Sequence, residues 1–412
     1  MDITNKLLVI GHVWPQPNAS AAGEHLVHLL DIFLDLQYTV HFVSAAQKPD
    51  NYTDLDTLPI TTHSVALNDN NFDAFIRELA PSVVLFDRFM VEEQFSWRIK
   101  KYLPDTLLIL DTEDIHFLRK QREESLKGKT STVSLSDIAK RELASIYRCD
   151  MSLIISEAEM ELLTRQYGVS SNLLFYLPLL SQKVNIKDKP TFQERENMIF
   201  VGNFLHAPNW EAVQTLKKEI WPRIRKKKPE LSIYIYGAYA GPKHLQLNNE
   251  KEGFFVKGFV EDIDSELEKA KLLLAPLSFG AGQKGKLLKA MQSGTPSVTT
   301  TVGCEAMQFD KQWPGMIADD YDDFAAAVIT LYSNPGIWNQ KQFAIEPLVN
   351  SHFQYDAYLE KFDKALRHLK DNFEELRMAN ILGQILWHHS MRSTEFMSRW
   401  IMEKESKKVQ MV

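Results

Sequence analysis

The chain has 412 residues, 44% hydrophobic and 25% charged, which fits two ordinary globular domains with an appendage and excludes a disordered or fibrous protein. A formal charge of -7 argues against broad nucleic-acid binding, which needs many phosphate-neutralising cations, but leaves room for a small basic pocket. The two cysteines, Cys149 and Cys304, offer neither a metal-site spacing nor a disulfide framework, as expected in a reducing compartment.

Lys6 to His12 is a short apolar run stopped by polar residues and prolines, so it reads as a first strand rather than a secretory leader. Further short, buried-type strand runs follow at 39–43, 83–86, 107–110, 153–155 and 173–177. Between them, 24–36, 71–79, 91–101 and 135–147 have helical periodicity, and this alternation predicts a parallel, doubly wound sheet. The polar, lysine-rich stretch 181–197 reads as an interdomain linker. The alternation then resumes, with strand runs at 198–201, 231–236, 254–256, 272–275, 297–300 and 316–318, which predicts a second α/β domain and a cleft between the two. From Phe353 onward the pattern is helical. The segment 355–369 is expected to pack back across the domains, and 381–401 carries Trp and Phe among charges, suiting core or dimer packing or a membrane surface. No apolar stretch approaches the roughly 20 residues that span a bilayer.

The most informative segment is Ala275 to Met291, which leaves a strand and enters a helix. Gly280, Gly282 and Gly285 permit close backbone approach, and free N–H groups at a helix start attract an anion. Lys284 and Lys286 add the positive charge needed to hold a diphosphate and then stabilise it as a leaving group. A flexible strand–helix turn with solvated lysines fits the same spacing. The pattern is not a P-loop.

Phe279-Gly-Ala-Gly-Gln-Lys-Gly-Lys286 resembles the donor-site loop of group 1 (family 4) glycosyltransferases in its bacterial form, Phe-Gly-x-Gly-x-Lys-x-Lys. Segments 293–298, 301–306, 200–209 and 257–262 resemble other motifs of that family, as do 111–119 and 141–143, all in the right order between residues 5 and 350. The resemblance implies a GT-B fold: two Rossmann-like α/β domains with parallel sheets facing across a cleft, plus a C-terminal helical extension. The expected division is an acceptor domain 1–187, a donor domain 188–352 and C-terminal helices 353–412. It also implies a hexosyltransferase-type enzyme using a nucleotide-sugar donor, with retention of anomeric configuration and no cofactor or metal. The acceptor class is a glycan, a lipid-linked sugar or a protein.

On that resemblance the catalytic candidates are Asp114, His116 and Lys284. The donor-binding candidates are Gly23, Asn203, His206, Gly258, Phe259, Gly280, Gly282, Lys284, Lys286 and Glu305. Simpler roles stand beside these: a packed helix-start histidine for His116, a helix cap for Asp114 or Asn209, and an ion pair for Arg119. The family's Glu-x-seven-Glu positions hold Ala281 and Lys289 here, and a Lys cannot accept hydrogen bonds from ribose hydroxyls. That departure motivates a second expectation, a non-catalytic partner in a glycan-assembly complex. The implied location is cytoplasmic, with the C-terminal helix a candidate contact to the inner membrane face, a protein or a second copy, and no nucleic-acid partner.

Overall fold

The computed structural model describes residues 5–48, 55–128 and 135–409, and its strands form two separate, all-parallel sheets. The first contains β1 (Lys6–Gly11), β2 (Thr39–Ser44), β3 (Ile60–Ser64), β4 (Val83–Asp87), β5 (Leu107–Asp111), β6 (Met151–Ile154) and β7 (Leu174–Tyr176), in the order β3-β2-β1-β4-β5-β6-β7. The second contains β8 (Glu196–Val201), β9 (Ile233–Tyr236), β10 (Phe254–Gly258), β11 (Ala270–Ala275), β12 (Ser297–Thr299) and β13 (Gly315–Ile317), in the order β10-β9-β8-β11-β12-β13. Apolar clusters lie on both faces of each sheet, which is why the strands read as continuous hydrophobic runs. β3 escaped the sequence pattern because only Ile60 of Ile-Thr-Thr-His-Ser is buried. Strand order reverses between β1 and β4 and again between β8 and β11, and a crevice opens beyond the carboxyl ends of such strands.

The segment 181–197 carries the chain from one sheet to the other, but it is packed rather than loosely solvated. Val184 and Ile186 are buried, and their amides donate to Asn350 Oδ1 and Glu346 Oε2, both at 2.9 Å. Arg195 lies inside and donates to the carbonyls of Pro190, Leu267, Ala270 and Ser293 and to Thr295 Oγ1. Ser181 exchanges backbone bonds with the returning chain: its amide donates to Phe353 O at 2.7 Å, and Tyr355 N donates to its carbonyl at 3.0 Å.

The helix Tyr355–Asp371 then packs on the first sheet, with Tyr355, Tyr358, Phe362, Leu366 and Leu369 joining the cluster of Leu7, Val9 and Phe33, as the pattern predicted. The last helix, Ile381–Val409, rests on helices Phe89–Tyr102 and Asp137–Arg148 of the same half.

Candidate active site

A cavity of about 640 Å³ lies between the two sheets, lined by residues from both. That size suits a ligand in the usual range of roughly 300–1,000 Å³. Three helices start at its wall. Ser20 caps Ala21–Asp35, accepting from Gly23 N at 3.0 Å, and Ser20, Ala21 and Ala22 line the cavity. His206 precedes Ala207–Thr215, and Lys284 precedes Gly285–Gln292. Helix N-termini carry partial positive charge and attract anions.

On the second-sheet side the loop after β11 turns at Gly282, whose φ of +61° favours glycine. A Cβ there would meet Asp114 Cβ and Ile155 Cδ1 at 2.9 Å, so the loop approaches the opposite domain closely. Lys284 is buried, and its ammonium donates to Gly282 O at 2.5 Å and Ala281 O at 3.3 Å. Burial lowers its pKa, while Glu305, Glu159 and Asp114 oppose that shift. Lys286 lies 4.7 Å over the Phe200 ring and donates to Asn209 Oδ1. Burial, with Lys284 adding to it, pushes Lys286 down to about 7. Both lysines face the cavity rather than bulk solvent.

Asn209 is not a helix cap: its Nδ2 donates to Asn203 O at 2.9 Å while its Oδ1 holds Lys286. His206 lines the cavity, and burial with Arg119 nearby takes its pKa to about 4, so it is a neutral imidazole.

The opposite wall comes from the loops after β4 and β5. Asp114 pairs with Arg119, and its Oδ1 lies 3.8 Å from His116 Nδ1. Burial raises its pKa, but Arg119 and His116 outweigh that and keep the carboxylate ionised. Asp114 does not cap the helix His116–Leu126. That work falls to Glu142, which accepts from His116 N and Phe117 N at 3.0 Å and approaches His116 Nδ1 at 3.3 Å. His116 is therefore both a helix-start residue and a cavity residue.

Beside them, Glu113, which lines the cavity, and Asp87 and Asp111 behind it bring ligand atoms within 4.8 Å of one another. Cations already answer them, since His25 Nε2 lies 3.5 Å from Asp111 and Arg88 Nε 3.5 Å from Asp87. Glu113, at φ +62°, is the carboxyl without such a partner, and burial and Asp111 push it up to about 8.

Several anchoring residues escaped sequence reasoning because they act across the cleft. Glu159 Oε1 accepts from Ile115 N at 2.9 Å and Gly282 N at 2.8 Å, tying the two loops together, and burial and Asp114 push it up to about 8. Arg122 binds Glu305 through two bonds of 2.6 and 2.8 Å and donates to Gly280 O at 2.7 Å. Lys289 pairs with Glu24 at 3.0 Å and Asp264 at 3.4 Å. Only the Ser-x-x-Glu cap pattern of Ser156 and Glu159 gave a local signal.

Of the residues expected from the sequence, Asp114, His116, Asn203, His206, Phe259, Gly280, Lys284 and Lys286 line the cavity together. Gly23, Gly258 and Gly282 fall behind the lining, and Glu305 is turned to Arg122 instead.

The arrangement can hold a polyanion between cationic groups and helix ends while presenting an ionised carboxylate and the His116 imidazole from the other side. Residues 195–334 match the family model described as glycosyl transferases group 1. Among solved structures, the chain is similar to sucrose-phosphate synthase from Thermosynechococcus elongatus, at 13% identity and a TM-score of 0.69 over 89% of this chain and 99% of that one. It is also similar to HepE from Anabaena, solved with UDP and glucose, at 12% identity and 0.64 over 88% and 99%. A glycosyltransferase from Rickettsia africae gives 10% identity and 0.64 over 90% and 100%. No curated protein matches the sequence. The chain thus has the GT-B fold, and its segment 195–334, which carries the Lys284–Lys286 loop, matches the group 1 glycosyl transferase family model.

Proposed function

We propose that the protein transfers a hexose from a nucleotide-diphospho-sugar to a glycan, lipid-linked or protein acceptor, with retention and without a metal. The observation that carries this reading is the pair Lys284 and Lys286 at the start of the helix Gly285–Gln292, inside a cavity between two sheets. The donor diphosphate lies against these groups. As the bond from the anomeric carbon to the β-phosphate oxygen breaks, its electron pair passes to that oxygen, where fixed cations and N–H groups stabilise the charge. Those protein cations do the work a metal would otherwise do.

The acceptor enters along Asp114, His116 and Arg119. Its hydroxyl oxygen bonds the anomeric carbon on the face the phosphate leaves, and its proton goes to the departing phosphate oxygen. Phe259 and Val260, which line the same cavity, suit a nucleobase. Burial of the donor between the sheets excludes water that would hydrolyse it. Asn203 and His206 complete the donor side.

The reaction belongs to the cytoplasm, with the last helix left to meet a membrane, a partner or a second copy. The division into 1–187, 188–352 and 353–412 is the working assignment of acceptor, donor and crossing-back regions.

A second reading, a non-catalytic partner, is favoured by one observation: Lys289 stands at a donor-site position and is occupied by Glu24 and Asp264. Thermal melting against a panel of nucleoside diphosphates, beginning with UDP, followed by turnover of the matching sugars, separates the readings. A nucleotide-dependent rise in melting temperature with turnover supports transfer. Stabilisation without turnover over the whole sugar panel supports the partner reading, and no stabilisation by any nucleotide defeats the transferase.

A further inference from the structure

The last helix is apolar on two sides. Its inner side is accounted for: Gly383, Met391 and Ser398 are buried, Trp387 Nε1 donates to Arg148 O at 3.0 Å, and Ser398 Oγ donates to Asn68 Oδ1 at 2.7 Å. The outer side carries a row at helical spacing made of Ile381, Ile385, His389, Arg392, Phe396 and Trp400. Ile381 is 66% exposed, Ile385 50%, Phe396 62% and Trp400 59%. Such a row is about 28 Å long at the α-helical rise. Isolated exposed apolar residues are ordinary on a protein surface, but an aligned row of this length marks a face that something covers.

We propose that this face docks on an anionic lipid surface, lying in the headgroup plane with Ile381, Ile385, Phe396 and Trp400 at the acyl boundary. The cations decide between a lipid and a protein cover. Arg392 sits inside the apolar row, with Lys404 one turn beyond Trp400, and among the described residues Arg392 has no carboxylate partner. At the core of a protein interface, unpaired cations would be costly to desolvate. In a headgroup layer they meet phosphates at the same depth where the apolar side chains meet methylenes. Lys404 lies 4.9 Å over the Trp400 ring, an amphipathic pair suited to that boundary. Residues 381–409 carry five Lys and Arg against three Glu, a local excess of positive charge in a chain of net -7. No described helix is long and apolar enough to cross a membrane, so the contact is in-plane.

The test is flotation of the full-length protein with vesicles of phosphatidylcholine alone or with about one third phosphatidylglycerol, which needs no substrate. The expected result is binding to the anionic vesicles that weakens with salt and is at least about tenfold weaker on neutral ones. Phe396→Ser with Trp400→Ser, and separately Arg392→Glu, should each reduce binding about tenfold or more while leaving the thermal melt unchanged, since these side chains are exposed. Failure to float with anionic vesicles overturns the proposal. So does equal binding to both vesicle types, or a stable dimer by light scattering that the same substitutions dissociate, which would identify a second copy as the cover.

Discussion

Lys286 should take up a proton when a diphosphate binds. In the free protein, burial and the neighbouring Lys284 hold its pKa at about 7. At pH 8 about nine-tenths of this group is then neutral, whereas a diphosphate beside it favours the ammonium and lifts its pKa well above 8. Binding at pH 8 therefore draws in about 0.9 proton through this residue, and between pH 6 and pH 8 its contribution weakens affinity about tenfold. The nucleotide's terminal phosphate, with a second pKa near 6, is already ionised at pH 8 and adds little to this signal. Calorimetric titration with UDP in buffers of different ionisation enthalpy reads the uptake directly. Lys286→Arg keeps the charge but removes the titration, while Glu113 and Glu159, both at about 8, contribute equally to the two proteins. Equal uptake by wild type and Lys286→Arg would show that Lys286 is already charged in the free protein.

The Glu24–Lys289 pair, with neither side chain more than 29% exposed, should show a coupling of roughly 1 kcal/mol in a double-mutant cycle of urea unfolding. Lys289→Glu alone, which sets a third carboxylate beside Glu24 and Asp264, should cost more, and adding Glu24→Lys should restore most of the loss. Arg122→Ala frees Glu305 and the Gly280 carbonyl and should weaken UDP binding about five- to tenfold with the fold intact by circular dichroism; unchanged affinity would show that the Gly280 turn needs no brace. His25 is lowered by burial but raised more strongly by Asp111, to about 9 against an ordinary 6.5. Its folded-state pKa is the higher one, so its contribution of about 3 kcal/mol is complete below pH 6.5 and is lost as pH rises through 9. His25→Gln should flatten the stability profile across that window, and an unchanged slope would show that His25 is not protonated in the fold.

Much of the architecture was legible because both sheets are covered on both faces, so strands such as Leu7–Ile10 and Leu272–Ala275 are uninterrupted apolar runs. Where burial is one-sided that signal fades, as at Ile60–Ser64. The helix starting at Phe89 rather than Val91 follows Arg88, whose φ of +76° no pattern foretells. The segment 181–197 was legible as a connection but not as packed chain, because its order rests on partners at 346–353 and on carbonyls around buried Arg195.

The donor loop was readable as a local sequence with a local geometry. What holds it was not: Glu159, Arg122 and Glu24 reach it from the other sheet, 123, 158 and 265 residues away. Asp114 resembled a cap because it stands two residues before a helix, yet the capping carboxylate is Glu142, 26 residues beyond His116. Glu305 stands among the donor-binding candidates on the family resemblance, and only the fold reveals that Arg122 claims both its oxygens.

The most direct measurement is a crystal structure with a bound nucleoside diphosphate. Diphosphate oxygens should lie within about 3 Å of the Lys284 and Lys286 ammonium groups, at the N-terminal ends of the helices that begin at Ala207 and Gly285. A diphosphate seated elsewhere, with Lys284 still turned to the carbonyls of Ala281 and Gly282 and Lys286 still on Asn209, would contradict this placement.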